Sequence, residues 1–125
     1  MKCFSVIFYE TVNFDQRLLT KSHKNIIKMK QYVINAFDAT DENALSRRMA
    51  ARPFHLETVK QLKVNGNFLI GGAILNSSEQ MIGSTMIVQF EDEASFQDWF
   101  NNDPYNTMGV WEKIEINPFR VAKID

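Results

Sequence analysis

The spacing of apolar positions along the chain predicts alternating strands and helices. Short runs of β-branched and aromatic residues indicate strands, and apolar residues three or four positions apart indicate helices. Together they predict the order β, α, β, β, α, β, which matches a four-stranded antiparallel sheet with both helices on one face. The predicted strands are residues 32–37, 68–75, 83–90 and 110–116.

Prolines and glycines place the predicted helix ends. A proline is best tolerated at the first position of a helix, so a short helix is predicted to stop before Pro53 and a longer one to begin there. The longer helix ends at Gly66, a residue type that favours the left-handed conformation found after helices. One further turn begins at Pro104, and Asn117 with Pro118 is predicted to close the last strand.

The second face of the predicted sheet has no helix to cover it. An apolar sheet face left open favours association, and stacking against a second copy of the chain is the simplest way to bury it. The sequence therefore predicts an α+β fold that forms a homodimer by stacking sheet on sheet.

The chain divides into two parts of different character. Residues 1–28 combine one short apolar run with polar, basic sequence, and they are either an appended strand and arm or an upstream start that is little used. Met29 offers a second start that leads directly into the first predicted strand. We therefore assign residues 1–28 to an N-terminal extension and residues 29–125 to the folded domain.

The amino-acid composition limits the classes of protein to which this chain can belong. A chain of 125 residues with 45% hydrophobic residues can close one core. Fourteen Lys and Arg against fifteen Asp and Glu leave a net charge of -1, which disfavours nucleic acid as a partner. The lone Cys3 indicates a reducing compartment, so we expect a cytoplasmic protein. No apolar run approaches the roughly 18 residues of a membrane span.

The candidates for catalysis are a histidine and an aspartate, each of which lies at a predicted helix start. His55 lies in the first turn after Pro53, where the helix dipole disfavours an imidazolium, so we expect a neutral ring that can act as a base. Asp103 precedes Pro104 as a helix cap does. Simpler roles remain open: His55 can bond a nearby carbonyl, and Asp103 can cap its helix, alone or while orienting an imidazole.

Other residues are candidates for holding a ligand. Arg48 and Arg52 can attract an anionic substrate. The two glycines at 71 and 72 indicate either a bulge or the close approach of another group, and Gly72 is assigned to the pocket lining. Ser84 and Tyr105 are further candidate contacts, although no strand-to-helix turn supports Ser84 as a nucleophile. Metal-binding and dinucleotide-binding motifs are absent from the sequence, so we expect no metal and no cofactor.

The chain from about residue 31 to residue 122 resembles the YciI-like (YCII-related) family of small bacterial proteins. The resemblance rests on several short motifs in a fixed order. These are the opening strand, residues 46–56 (SRRMAARPFHL), Gly71-Gly72, Gly83-Ser84, Asn102-Asp103-Pro104-Tyr105 with Gly109-Val110, and Pro118-Phe119.

The resemblance implies a ferredoxin-like fold that assembles as a dimeric α/β barrel. It also implies an active site built around a histidine and an aspartate, which correspond to His55 and Asp103. One position departs from the family pattern: Gly72 is followed by Ala73, where the family usually has proline. The resemblance therefore gives less information about a substrate that contacts this part of the pocket.

These observations lead to a functional hypothesis and two rivals. The first is a cofactor-free lyase or isomerase that acts on a small anionic compound, aromatic or lactone-like, with His55 moving the proton, Asp103 orienting it and Arg52 holding negative charge. The alternative is a non-catalytic dimeric module that binds a small ligand or assists a partner enzyme. A monooxygenase of similar fold ranks last.

Overall fold

The computed structural model describes residues 28–125 of the chain. Residues 1–27 of the predicted N-terminal extension, which include Cys3, lie outside the described residues. None of the helices within residues 28–125 is both long and apolar enough to cross a membrane. In chain order the elements are β1 (Lys30–Asp38), α1 (Ala44–Val64), β2 (Phe68–Leu75), β3 (Met81–Phe90), α2 (Glu93–Asn102), α3 (Pro104–Thr107) and β4 (Trp111–Phe119).

The four strands form one antiparallel sheet in the order β2-β3-β1-β4. The predicted ferredoxin-like α+β fold is therefore confirmed, with α3 as an extra turn before the last strand. The first and third strands occupy the centre of the sheet, where both neighbours satisfy their backbone groups, and β2 and β4 form its edges.

The core lies between the sheet and the two longer helices. Successive side chains of a strand point to opposite faces, so every second residue of β1 is buried, including Ile34 and Ala36. Met86 and Val88 continue this buried face on β3, and the helices contribute residues such as Phe96. The opposite face of the sheet carries the alternate residues, and no helix within residues 28–125 packs against it.

The predicted helix break at Pro53 is wrong, because α1 runs without interruption through the proline. Pro53 cannot donate a backbone hydrogen bond to the carbonyl of Met49, yet this is one bond in a helix of 21 residues. The buried residues of α1 form one stripe on both sides of the proline. They are Arg48, Ala51, His55 and Leu62. Packing of this stripe on the core holds the two halves in line.

The predicted end of the last strand is also wrong. Asn117 and Pro118 lie inside β4, where Pro118 stands opposite Tyr32 of β1. Because β4 is an edge strand, the missing N–H of a proline can lie on the side that has no neighbouring strand. The strand therefore continues to Phe119.

The end of α1 at Gly66 agrees with the prediction. Gly66 has a φ of 80°, and its N–H donates to the carbonyl of Lys63. The N–H of Asn67 reaches the carbonyl of Leu62 at 2.8 Å, which completes a Schellman motif. This turn sets the direction in which β2 leaves the helix.

Replacement of Gly66 by alanine tests this helix end. The new Cβ would meet no atom within 4 Å, so the cost comes from the left-handed backbone alone. We expect Gly66→Ala to lower the free energy of unfolding by about 1 kcal/mol, measured by urea denaturation. Asn65→Ala is the matched control, because Asn65 has right-handed helical geometry. Equal stability of the two variants would contradict the assigned conformation.

Candidate active site

His55 and Asp103 meet in the structure although 48 residues separate them. The imidazole Nδ1 lies 2.9 Å from Oδ2 and 3.1 Å from Oδ1 of the carboxylate. Asp103 is fully buried, and the His55 side chain is 8% exposed. The middle of α1 and the start of α3 are thereby joined through a polar contact that is shielded from water.

Asp103 also caps α3. Its Oδ2 accepts a hydrogen bond of 2.9 Å from the backbone N–H of Tyr105, and the same oxygen is the one closest to His55. Capping and orientation of the imidazole are therefore not exclusive roles. With one oxygen engaged by two donors, the carboxylate is fixed in its orientation.

The contact determines which nitrogen of a neutral His55 carries the proton. A carboxylate accepts hydrogen bonds, so the proton of the neutral ring lies on Nδ1 and leaves Nε2 with a free lone pair. The expected reason for a neutral ring was wrong, since His55 lies in the interior of α1, far from the dipole of a helix terminus. The arrangement resembles the second half of a catalytic triad, in which a carboxylate orients a base.

Tyr105 covers the imidazole. Its ring stacks on His55 with centroids 3.9 Å apart and planes 13° apart, and Trp111 approaches the imidazole edge-on. Burial raises the pKa of Tyr105, against the opposing effect of the positive charges on Arg48 and Arg52. The phenol therefore stays protonated at neutral pH, and its hydroxyl can donate a hydrogen bond.

Arg48 lies deeper than the prediction of a substrate contact implied. Its side chain is 2% exposed and pairs with Asp38, with Nη1 at 2.9 and 3.1 Å from the two carboxylate oxygens. Its Nη2 donates to Ser84 Oγ at 2.7 Å, and its Cζ lies 4.6 Å from the ring centre of Tyr105. Arg48 thus organises the site from within the protein.

Sequence reasoning missed two members of this site. Asp38 directly follows the predicted strand 32–37, and Trp111 lies within the predicted strand 110–116. Asp38 is the last of the alternate buried positions on β1, so strand periodicity contained a signal for it. Burial raises the pKa of Asp38, although Arg48 opposes the shift.

Beside the imidazole is a cavity of about 140 Å³. Six of the seven predicted site residues line it, and Asp103 stands behind His55 instead. The six are Arg48, Arg52, His55, Gly72, Ser84 and Tyr105. Apolar side chains complete the wall, namely Leu56, Val59, Phe68, Ala73 and Met86, together with Gly71. The site is thus a small, mainly apolar pocket with polar groups at defined points.

The glycine pair of β2 forms one side of this cavity. A Cβ on Gly71 would lie 2.9 Å from the carbonyl oxygen of Thr85, whereas one on Gly72 would have open space. Of the two alternatives, close approach therefore explains Gly71, and the irregular pairing of β2 occurs near its ends. Gly72 pairs with Thr85, so its side-chain position lies on the opposite face of the sheet, and Gly72 lines the cavity through its backbone.

The charge of the cavity comes from Arg52. This side chain is half-buried, and among residues 28–125 no carboxylate lies within ion-pair distance of it. Its charge is available to an anionic group of a ligand. Within the same part of the chain, no three His, Cys, Asp or Glu side chains come together as a metal site would require.

Fold and site together define a ferredoxin-like α+β domain with a carboxylate-oriented histidine at a small cavity. The sequence profile of the YCII-related domain matches residues 31–120. The chain therefore belongs to the YCII-related family, as its motifs had indicated.

Two relatives agree with this assignment, and a solved structure shares the fold. Protein YciI of Escherichia coli O6:H1 is 35% identical over 95 residues, which cover 71% of this chain and 95% of that protein. An uncharacterized protein of Haemophilus influenzae is 40% identical with the same coverage. The fold is similar to that of 5-chloro-2-hydroxyhydroquinone dehydrochlorinase from Burkholderia phenoliruptrix in complex with 2,5-dihydroxybenzoquinone. The TM-score is 0.64, the identity is 21%, and 74% of this chain and 95% of that one are covered.

Two neighbouring arginines of α1 allow a direct test of the buried network. Arg48→Ala leaves the buried Asp38 carboxylate unpaired, so we expect it to cost about 3–5 kcal/mol of unfolding free energy. Arg47→Ala removes an exposed partner of Asp41 and should change stability little. Chemical denaturation of both variants measures the difference. Similar losses in the two would show that the Arg48 pair is not the structural contact inferred here.

Proposed function

We propose that the protein is an enzyme of the lyase or isomerase type that acts on a small anionic ring compound. His55 is its general base, and Asp103 is the residue that positions the base. The observation that carries the proposal is the 2.9 Å contact from His55 Nδ1 to Asp103, in a histidine that also lines the cavity. A base oriented by a buried carboxylate beside a pocket is suited to proton transfer.

The proposed chemistry begins when His55 Nε2 takes a proton from a carbon or hydroxyl of the substrate. In an elimination, the electron pair of the broken bond forms a new double bond and expels a leaving group such as chloride. In an isomerisation, the same electrons shift within the substrate, and the imidazolium returns the proton at another atom. Asp103 stabilises the transient imidazolium in both cases.

The size and charge of the cavity support a ring with an anionic group. An apolar cavity of about 150 Å³ holds one benzene molecule, close to the volume found here. Arg52 supplies the positive charge. The dehydrochlorinase of similar fold binds 2,5-dihydroxybenzoquinone, a ring of this size. Oxygenated and chlorinated rings are therefore the first compounds to test.

Replacement of His55 tests the catalytic role. The purified protein is screened against chlorinated hydroxyhydroquinones, hydroxyquinones and unsaturated lactones, with chloride release and ultraviolet absorbance as readouts. For a compound that is converted, we expect His55→Gln to lower kcat by about 10²- to 10⁴-fold while circular dichroism stays unchanged.

Glu57→Gln is the matched control, because Glu57 is an exposed residue of α1 that does not line the cavity. Normal turnover by His55→Gln would contradict the proposal. If compounds of the panel bind and are returned unchanged, the protein is a ligand-binding module instead of an enzyme.

The open sheet face supports assembly as a homodimer, which we propose as the state in solution. Ile70, Ile87 and Val33 form a row across β2, β3 and β1 on the face opposite the helices. Ile70 is 63% exposed, and Phe37 of the same face is 41% exposed. A second copy stacked on this row would bury it and create the proposed barrel.

A charge in the centre of this row should prevent dimer formation. We expect Ile87→Lys to be a folded monomer at concentrations where the unmodified chain is a dimer, because a lysine cannot be buried without a partner. Val64→Lys is the control, since Val64 is exposed at the end of α1. Light scattering after size-exclusion chromatography measures the mass. A monomeric unmodified chain, or a dimeric Ile87→Lys variant, would contradict the proposed interface.

A further inference from the structure

The hydroxyl of Ser84 has an unusual set of neighbours. Its oxygen accepts a hydrogen bond of 2.7 Å from Arg48 Nη2 and one of 3.2 Å from Trp111 Nε1. A serine hydroxyl has two lone pairs and one hydrogen to donate. Both lone pairs are therefore used, and the hydrogen finds no acceptor among residues 28–125. A side chain that is 2% exposed rarely leaves such a donor unused.

The surroundings of Ser84 leave room for a ligand atom. Ser84 lies on β3 and lines the cavity together with His55. Its partners on the neighbouring strands are Ala36 and Ala73, whose side chains are too short to cover the hydroxyl. A donor without a partner is thus placed in the wall of the pocket that also contains the base.

We propose that Ser84 donates a hydrogen bond to an oxygen of the ligand and makes the cavity selective for rings with a carbonyl or phenolate oxygen. This inference rests on the proposed function and names the substrate class of the same site. When His55 removes a proton, negative charge moves to that oxygen. The Ser84 hydrogen stabilises it, and the donor on Arg48 strengthens the hydrogen bond by polarising the hydroxyl.

The same neighbours argue against Ser84 as a nucleophile. A nucleophilic serine needs a base within hydrogen-bond reach to take its proton. Both hydrogen-bond partners of Ser84 among residues 28–125 are donors, and no hydrogen bond joins its Oγ to His55 Nε2. The electron density of the oxygen is drawn toward Arg48 and Trp111, which lowers its reactivity. The role that remains is donation.

Two ring compounds test the selectivity. The probes are 2,5-dihydroxybenzoquinone, which has acceptor oxygens, and fluorobenzene, which has none, and calorimetry measures their affinities. We expect Ser84→Ala to weaken binding of the quinone about tenfold or more and binding of fluorobenzene less than about twofold. Ser84→Thr keeps a hydroxyl and should retain most of the affinity for the quinone. Thermal unfolding of each variant controls for stability.

The outcomes separate this inference from the proposed function. Equal weakening of both probes by Ser84→Ala would show that Ser84 only supports Arg48 and Trp111, and the role of His55 would be unaffected. Failure of the unmodified protein to bind either ring would overturn both proposals.

Infrared spectroscopy of the unmodified protein covers the case in which Ser84→Ala does not fold. The carbonyl stretch of the bound quinone should lie at lower frequency than in an aprotic solvent, and the same shift should persist in Ser84→Thr. An unshifted carbonyl would overturn the inference.

Discussion

The contact between the buried carboxylate of Asp103 and the imidazole of His55 is the constraint on which the site depends. Asp103 is completely shielded from water, and a buried carboxylate is stable only when donors surround it. The imidazole and the N–H of Tyr105 are those donors. The hydrogen bonds to this one carboxylate therefore fix the start of α3, the position of α3 against α1, and the orientation of the imidazole. The stacking of Tyr105 on His55 follows from the same turn of chain.

A second polar network, centred on Arg48, contributes Arg48 and Ser84 to the wall of the cavity. Arg48 connects β1 through Asp38 and β3 through Ser84, and it lies against Tyr105. Networks of this kind contribute little net stability, since desolvation of the charges offsets their attraction, but removal of one member leaves the others unpaired. The network is thus a means of holding one arrangement of α1 over the sheet. The other polar groups at the cavity include the cation of Arg52, which has no carboxylate partner among residues 28–125, and the hydroxyl of Ser84.

The sequence predicted the order of elements well because strand alternation and helical periodicity are local properties. It failed at Pro53, where packing of a continuous buried stripe outweighs the preference of proline for a helix start, and at Pro118, which an edge strand tolerates. His55 and Asp103 were identified from their local context and a family resemblance, yet their contact depends on how α1 and α3 pack. The internal role of Arg48 could not be predicted either, because strand periodicity marks Asp38 as an inward-facing position but does not show which cation lies beside it.

The proton position on the imidazole of His55 is the most direct test of this account. Nitrogen-15 NMR of the histidine rings distinguishes a protonated from an unprotonated nitrogen, and the signal lost in His55→Gln identifies the residue. At a pH where the ring is neutral, the account predicts a proton on Nδ1 and a free lone pair on Nε2, with loss of this preference in Asp103→Asn. A proton on Nε2, or one shared between both nitrogens as in free imidazole, would contradict the central claim that Asp103 holds His55 ready as a base.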